Sequence, residues 1–409
     1  MKKSCFLLLG LLALAMALPA AEKRQLEALN RGLVAVSTKK GVFLSWRLLG
    51  NDDASVAFHV YKNGERVTDT PISASTNYFV PKGKPADSYA VSAVVGGAES
   101  EPCVTVKPLP KKKQYLSIPI QQPKGGTVPG IVDKNGKAGV AGVYSYTAND
   151  ASVGDLDGDG EYEIVLKWEP DNAHDNAHSG FTGPVIFDAY KLDGTQLWRI
   201  NLGKNIRAGA HYTQFLVYDY DGDGKAEVVM KTADGTVDGT GAVIGDADAD
   251  WRESTYGKVL DGPEFLTVFE GATGKALDTV PFVAERGAVS DWGDGYGNRC
   301  DRFLCNTAYL DGTRPSIVEG RGYYAKTTVT AYDFRDGKLS VRWAFSATKD
   351  HLPEYMAQGN HSFSVGDVDG DGYDEIVYGS IGIDHDGTPL YSTTLGHGDA
   401  LHLGDLDPD

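Results

Sequence analysis

The stretch Asp155-Leu156-Asp157-Gly158-Asp159-Gly160-Glu161-Tyr162-Glu163-Ile164-Val165 decides how this chain is read. Acids stand at loop positions 1, 3 and 5, glycine at 6 and a carboxylate at 9. With the backbone carbonyl of Glu161 at position 7, they set oxygens around a hard cation. The pattern returns with Asp219, Asp221, Asp223, Lys225 at the carbonyl position and Glu227, and again with Asp367, Asp369, Asp371, Tyr373 and Glu375. A fourth copy opens at Asp405, Asp407 and Asp409, where the given sequence stops, as expected of a fragment. Tyr309 to Val318 keeps the outline with most of its acids lost. An EF-hand is excluded, because Leu166, Met230 and Tyr378 occupy the position of its bidentate acid. Calcium is the expected ion, several per chain, since magnesium seldom takes an all-protein oxygen cage. Plain Asp-Gly turns are the weaker reading, because so many acids in one turn repel one another without a cation.

Working outward, a second motif lies between the loops. It is a strand, an Asp-Gly turn and a strand carrying tryptophan: Ala189 through Asp193-Gly194 to Trp198, and Ala331 through Asp336-Gly337 to Trp343. Phe269 to Gly274 is a looser copy. Two hairpins per repeat make a four-stranded sheet, and repeated sheets of this size make the blades of a β-propeller. About four blades and the start of a fifth are expected over residues 136–409. Before them, 107–135 reads as a linker. Residues 22–106 read as a small fibronectin-III-like β-sandwich with Trp46 in its core and a hairpin turn at Asn63-Gly64. The fold expectation is therefore all-β: a calcium-stabilised propeller behind a sandwich.

Residues 1–21 carry two lysines, an apolar run and then small residues, the pattern of a secretory signal, so the protein is expected to be exported to the periplasm or cell exterior. Cys300 and Cys305 form either a local bridge or a pair of buried thiols, with Cys103 unpaired. The net charge of −17 argues against nucleic acid or an anionic membrane as partner. An acidic substrate needs cations that the side chains do not supply.

Histidines and cations stand beside the loops: Lys167, Arg207, His211, Lys231, His361, His397 and Asp399. His361 and His397 are expected on strands near the central funnel, where His397 with Asp399 forms an open metal site or the histidines simply pack in the core. Lys167 and Lys231 fit solvated strand positions equally well.

The runs Asn149 to Gly160, Asp188 to Thr195, Asn205 to Phe215, Lys231 to Thr236 and Tyr296 to Arg299 resemble the family 11 polysaccharide lyases, the rhamnogalacturonan lyases. The resemblance implies an eight-bladed propeller, monomeric when complete, about half of which is present. It implies a substrate, rhamnogalacturonan I, cut by β-elimination between rhamnose and galacturonate. It implies groove calcium at His361, His397 and Asp399, and it makes Asn149, Lys167, Arg207 and His211 groove candidates, with no base assigned. A non-catalytic, integrin-like calcium propeller that binds a glycan or protein is the alternative. A glycoside hydrolase would need two carboxylates flanking the bond, and the conspicuous acids here are committed to loops.

Overall fold

The computed structural model describes residues 23–111 and 115–404. The signal motif and the acids Asp405, Asp407 and Asp409 lie outside the described residues. The described chain is all-β, interrupted by two 3-10 turns at Val289–Trp292 and Pro353–Tyr355. Among the described residues no helix is long and apolar enough to cross a membrane.

Strands Val34–Ser37, Gly41–Ser45 and Asn77–Pro81 form one sheet of the N-terminal unit. Glu65–Arg66, Ala57–Lys62, Tyr89–Val95 and Ala98–Glu99 form the other. Alternating residues of both meet in one core, where Trp46 packs edge-on against Phe58 at 5.4 Å. Asn63 and Gly64 both have positive φ, as a tight hairpin turn requires. The linker stretch is docked rather than free. Leu109 bridges to Val36, Gln121 bonds Tyr190 and Arg199, and Gly126–Val128 pairs with Gly142–Tyr144.

Four antiparallel sheets then follow in chain order. The first holds Tyr146–Gly154, Glu163–Pro170, Ile186–Tyr190 and Gln196–Asn201. The second holds Phe215–Tyr218, Glu227–Ala233, Glu264–Phe269 and Ala276–Pro281. The third holds Phe303–Ala308, Ser316–Tyr323, Thr327–Arg335 and Lys338–Ala347. The fourth holds Ser364–Gly366, Glu375–Tyr378, Ile381–Ile383 and Pro389–Ser392. The first sheet departs from the expected four strands, because Thr236–Val237 and Val243–Ile244 from the following repeat extend its outer edge through Asn201 and Val237.

Successive sheets pack face to face. Phe187 and Trp198 of the first meet Val228 and Phe269 of the second. Val229 and Val268 of the second meet Ile317 and Phe334 of the third. Val318 and Ala331 of the third meet Ile376 and Ile383 of the fourth. A strand covered on both faces has no wet side, which is why Glu227–Ala233 is buried at every residue instead of alternating. The first strands of neighbouring sheets adjoin one another.

The tryptophan motif makes the same joint from sheet to sheet. Trp198 Nε1 donates to Gly271 O at 2.6 Å, and Trp343 Nε1 donates to His385 O at 2.8 Å. Gly274 and Gly387, both at positive φ, lie so close under the indoles that a Cβ would sit 2.9 and 2.7 Å from the rings. Each tryptophan thus seals the turn of the next sheet, which accounts for both halves of the repeat. Cys103, Cys300 and Cys305 are free thiols, so the local pair is unbridged.

Candidate functional site

Two constellations stand out. The first is the set of acidic loops, which are built alike. Asp155 Oδ1 and Oδ2 accept from Gly158 N at 2.8 Å and Gly160 N at 2.7 Å. Asp219 does the same for Gly222 at 2.7 Å and Gly224 at 3.0 Å, and Asp367 for Gly370 at 2.7 Å and Gly372 at 3.0 Å. The amides of Glu161, Lys225 and Tyr373 donate to Asp159, Asp223 and Asp371 at 2.8, 2.8 and 2.9 Å. Glu163, Glu227 and Glu375 each use one oxygen to accept the amide after the loop's first acid, at 2.8, 2.8 and 2.7 Å. Both glycines of every loop have positive φ, which lets the chain wrap so tightly.

Oxygens therefore converge in three places: Asp155, Asp157 and Glu163; Asp219, Asp221 and Glu227; Asp367, Asp369 and Asp371. The donor sets fit a hard divalent cation, and buried carboxylate oxygens without partners, Asp157 Oδ1 and Glu375 Oε1, point the same way. Burial, reinforced by neighbouring aspartates, pushes Glu163 up to about 7, Glu227 to about 8 and Glu375 to about 7. Lys191 reaches into the first loop, bonding Asp157 and lying 3.5 Å from Asp159.

Sequence reasoning missed how the N-terminal segment uses these loops. Asn30 N and Nδ2 donate to Gly160 O at 2.9 Å and Glu161 Oε1 at 2.7 Å. Gln25 Nε2 donates to Asp219 O at 3.1 Å, and Gln25 N to Thr313 O at 2.7 Å. Arg47 covers the Tyr162 ring at 4.4 Å. No local signal marks residues 24–30, because their partners lie far along the chain.

The second constellation brings together His361, His397 and Asp399, with ligand atoms within 4.8 Å of one another. The two histidines sit on loops rather than on the expected strands: His361 precedes Ser364–Gly366, and His397 follows Pro389–Ser392. Tyr323, fully buried at the end of its strand, stacks parallel on His397 at 5.2 Å and lies 5.0 Å from His361. His397 Nδ1 faces Gly359 O at 2.5 Å, which leaves Nε2 as the outward atom. His211 joins the group, 5.4 Å ring to ring from His361, with Nε2 3.9 Å from Asp175. Burial, then the Arg302 charge, pushes His211 down to about 4, so its imidazole is neutral.

Arg302 and Tyr323 were not singled out in the sequence. Arg302 donates to Tyr323 Oη at 3.1 Å and is gripped by Asn298 O at 3.0 Å and Oδ1 at 2.6 Å. Asp294 gathers the amides of residues 296–299, so the Tyr296 to Arg299 motif serves to aim Arg302. Elsewhere in the buried charge network, burial would raise Glu264, yet Lys231, Arg321 and Arg286 hold it well below the usual carboxylate range.

The other groove candidates fare differently. Lys167 and Lys231 are buried, not solvated; they pair with Asp150 and Glu264, both at 2.7 Å. Arg207 is committed to the carbonyls of His178 and Gly180 at 2.7 and 3.1 Å and to Tyr212, so it braces a loop. Asn149 is exposed on a bulged strand, 3.3 Å from Glu169.

Residues 115–409 match the model of the C-terminal domain of rhamnogalacturonan lyase family 11, and residues 24–109 that of the rhamnogalacturonan I lyase beta-sheet domain. The chain belongs to rhamnogalacturonan lyase family 11. This family 11 chain is 58% identical over 387 residues to the rhamnogalacturonan exolyase YesX of Bacillus subtilis and 59% identical over 385 to the endolyase YesW of the same organism. Those matches cover 95% and 94% of this chain but 61% and 60% of the relatives, so it spans about three-fifths of their length. The crystal structure of YesX superposes with a TM-score of 0.86, covering 94% of this chain and 62% of that one. A Bacillus licheniformis family 11 lyase superposes at 0.85 with 58% identity, covering 94% and 64%.

Proposed function

We propose that this chain is the larger part of a secreted, calcium-dependent rhamnogalacturonan lyase acting on the rhamnogalacturonan I backbone of pectin. The four sheets are read as blades of a larger propeller, and the acidic loops as structural calcium sites. The complete protein is expected to act as a monomer. Export rests on the motif in residues 1–21.

The observation that carries this reading is the group His361, His397 and Asp399 backed by Tyr323, in a chain sharing 58% and 59% identity with two lyases. In β-elimination a base takes the C5 proton of galacturonate, a double bond forms between C4 and C5, and the C4–O bond breaks. A cation held at this group would neutralise the adjacent carboxylate and so favour loss of that proton. Tyr323 and Gly359 O fix the plane and tautomer of His397, and Arg302 holds Tyr323 in place. Lys167 pairs with Asp150, and Arg207 donates to the carbonyls of His178 and Gly180.

The test is ultraviolet absorbance of the unsaturated product when rhamnogalacturonan I is incubated with this chain, and with a form extended to the relatives' length. Absorbance that rises with calcium and stops with chelator is expected of the extended form. No rise from a folded, calcium-loaded extended form would overturn the reading.

A further inference from the structure

In a chain of net charge −17, cations have acids to spare, and the buried ones use them. Lys167, Lys231, Arg199, Arg286 and Arg321 each meet a carboxylate at 2.7 or 2.8 Å. Arg299, Arg302 and Lys326 do not; among the described residues none of the three makes an ion pair. Aromatic rings hold them instead. Arg299 lies over Tyr324 at 4.7 Å, Arg302 is 5.6 Å from the same ring, and Lys326 Nζ lies over Trp292 at 4.6 Å.

Arg302 is buried and spent on Asn298 and Tyr323. Arg299 is half-buried and commits a single side-chain donor, Nη1, to Gly293 O at 3.3 Å. The chain holds it in advance of any ligand. Its amide donates to Asp294 at 2.7 Å, and Gly293, at φ 102°, leaves the room that the guanidinium fills, since a Cβ there would lie 2.9 Å from Nη1. A guanidinium stacked on a ring keeps the donors at its edge in a planar fork, the shape that matches a carboxylate. The Tyr324 ring that carries Arg299 also lies 4.7 Å from the ring of His397. Ala325 and Lys326, next in the chain, line a cavity of about 630 Å³ with Asp291 and Lys349, so a polymer has room to continue past the histidine group.

Resting on the reading of this chain as part of a rhamnogalacturonan lyase, we propose that Arg299, carried on Tyr324, is a specificity-determining residue that takes a galacturonate carboxylate other than the one at the histidine group. Rhamnogalacturonan I alternates neutral and charged sugars. With one galacturonate at His361 and His397, the next carboxylate stands two sugars along, and Arg299 stands one ring beyond His397. The net charge of the chain conceals this cationic rim.

The test is titration calorimetry of the extended form with rhamnogalacturonan I oligosaccharides, and with the same oligosaccharides after their uronates are reduced to galactose. H361A is the background throughout, so that the ligand is not consumed. R299A is expected to weaken binding of the intact oligosaccharide about tenfold or more and to leave binding of the reduced one unchanged. R299K should recover only part of the loss, because an ammonium is a point charge without the fork. Unchanged Tm in each variant checks the fold. No loss in R299A, or equal losses for both ligands, would overturn the proposal, the second outcome assigning Arg299 to the support of Tyr324 alone. If the protein with Arg299 intact binds neither ligand, the rhamnogalacturonan reading falls and this proposal with it. If Arg299-dependent binding holds but the extended form without H361A yields no unsaturated product, the lyase reading fails and the carboxylate site stands.

Discussion

Arg24 Nη2 donates to Asp374 Oδ1 at 2.8 Å, joining two residues 350 positions apart. Asp374 also accepts the amide of Tyr309 at 2.8 Å, so one buried carboxylate ties the N-terminal segment, the third sheet and the fourth. Arg24 is partly exposed, which limits the pair to about 1 kcal/mol or less. R24A is expected to lower stability by that amount in urea denaturation, and deletion of residues 23–30 by clearly more, since Gln25 and Asn30 bond two further loops. Equal effects from both would contradict a segment held at several points.

The tryptophan joints should be the costliest single sites between sheets. W198A removes a buried indole and is expected to lose about 3–5 kcal/mol. W198F keeps most of the packing but strands the Gly271 carbonyl, which predicts a loss of about 1–3 kcal/mol. Equilibrium unfolding monitored by far-ultraviolet circular dichroism checks the order. W198F as damaging as W198A would mean that the hydrogen bond, not packing, carries the joint.

Chelation should destabilise the fold, and more so at higher pH. Each cation bound at a hundred times its Kd adds about 2.7 kcal/mol. Without cations, Glu227 sits at about 8, above its unfolded value, so the folded state holds an extra proton. That contribution is complete below the unfolded value and disappears as pH rises through 8. The Tm of chelated protein is therefore expected to fall between pH 5 and 8, while the gain on adding calcium grows over the same window. A chelated Tm that rises across this window would contradict the crowding of carboxylates described here.

Tyr323 is a positioning residue for the histidine pair. Y323F keeps the stack on His397 and loses the bond to Arg302, so a modest effect is expected. Y323A frees both rings and is expected to weaken the groove cation about 10–100-fold. In the extended enzyme, the calcium concentration giving half-maximal activity is the readout. A change in maximal rate at unchanged calcium dependence would instead assign Tyr323 to the substrate.

What was legible in the sequence was what is local. Asp155, Gly160 and Glu163 meet within one turn, so their spacing carries their chemistry, and the Asp-Gly and tryptophan pattern names a hairpin directly. The two free thiols at Cys300 and Cys305 illustrate the limit: nearness in sequence does not set two side chains face to face. Arg302 holds Tyr323, and Tyr323 stacks on His397, from other loops and strands, with no periodicity to announce them. Of the two readings open for Lys167 and Lys231, the solvated one fails, because strands packed on both faces bury cations that pair internally, Lys167 with Asp150 and Lys231 with Glu264. The carbonyl partners of Arg207, on His178 and Gly180, lie nearly thirty residues earlier in the chain, beyond the reach of a local motif.

The most direct measurement is anomalous diffraction from calcium-soaked crystals of the chain. The account predicts peaks inside the three acidic loops and a further peak between His361, His397 and Asp399. An intact fold with no peak at these groups would contradict it.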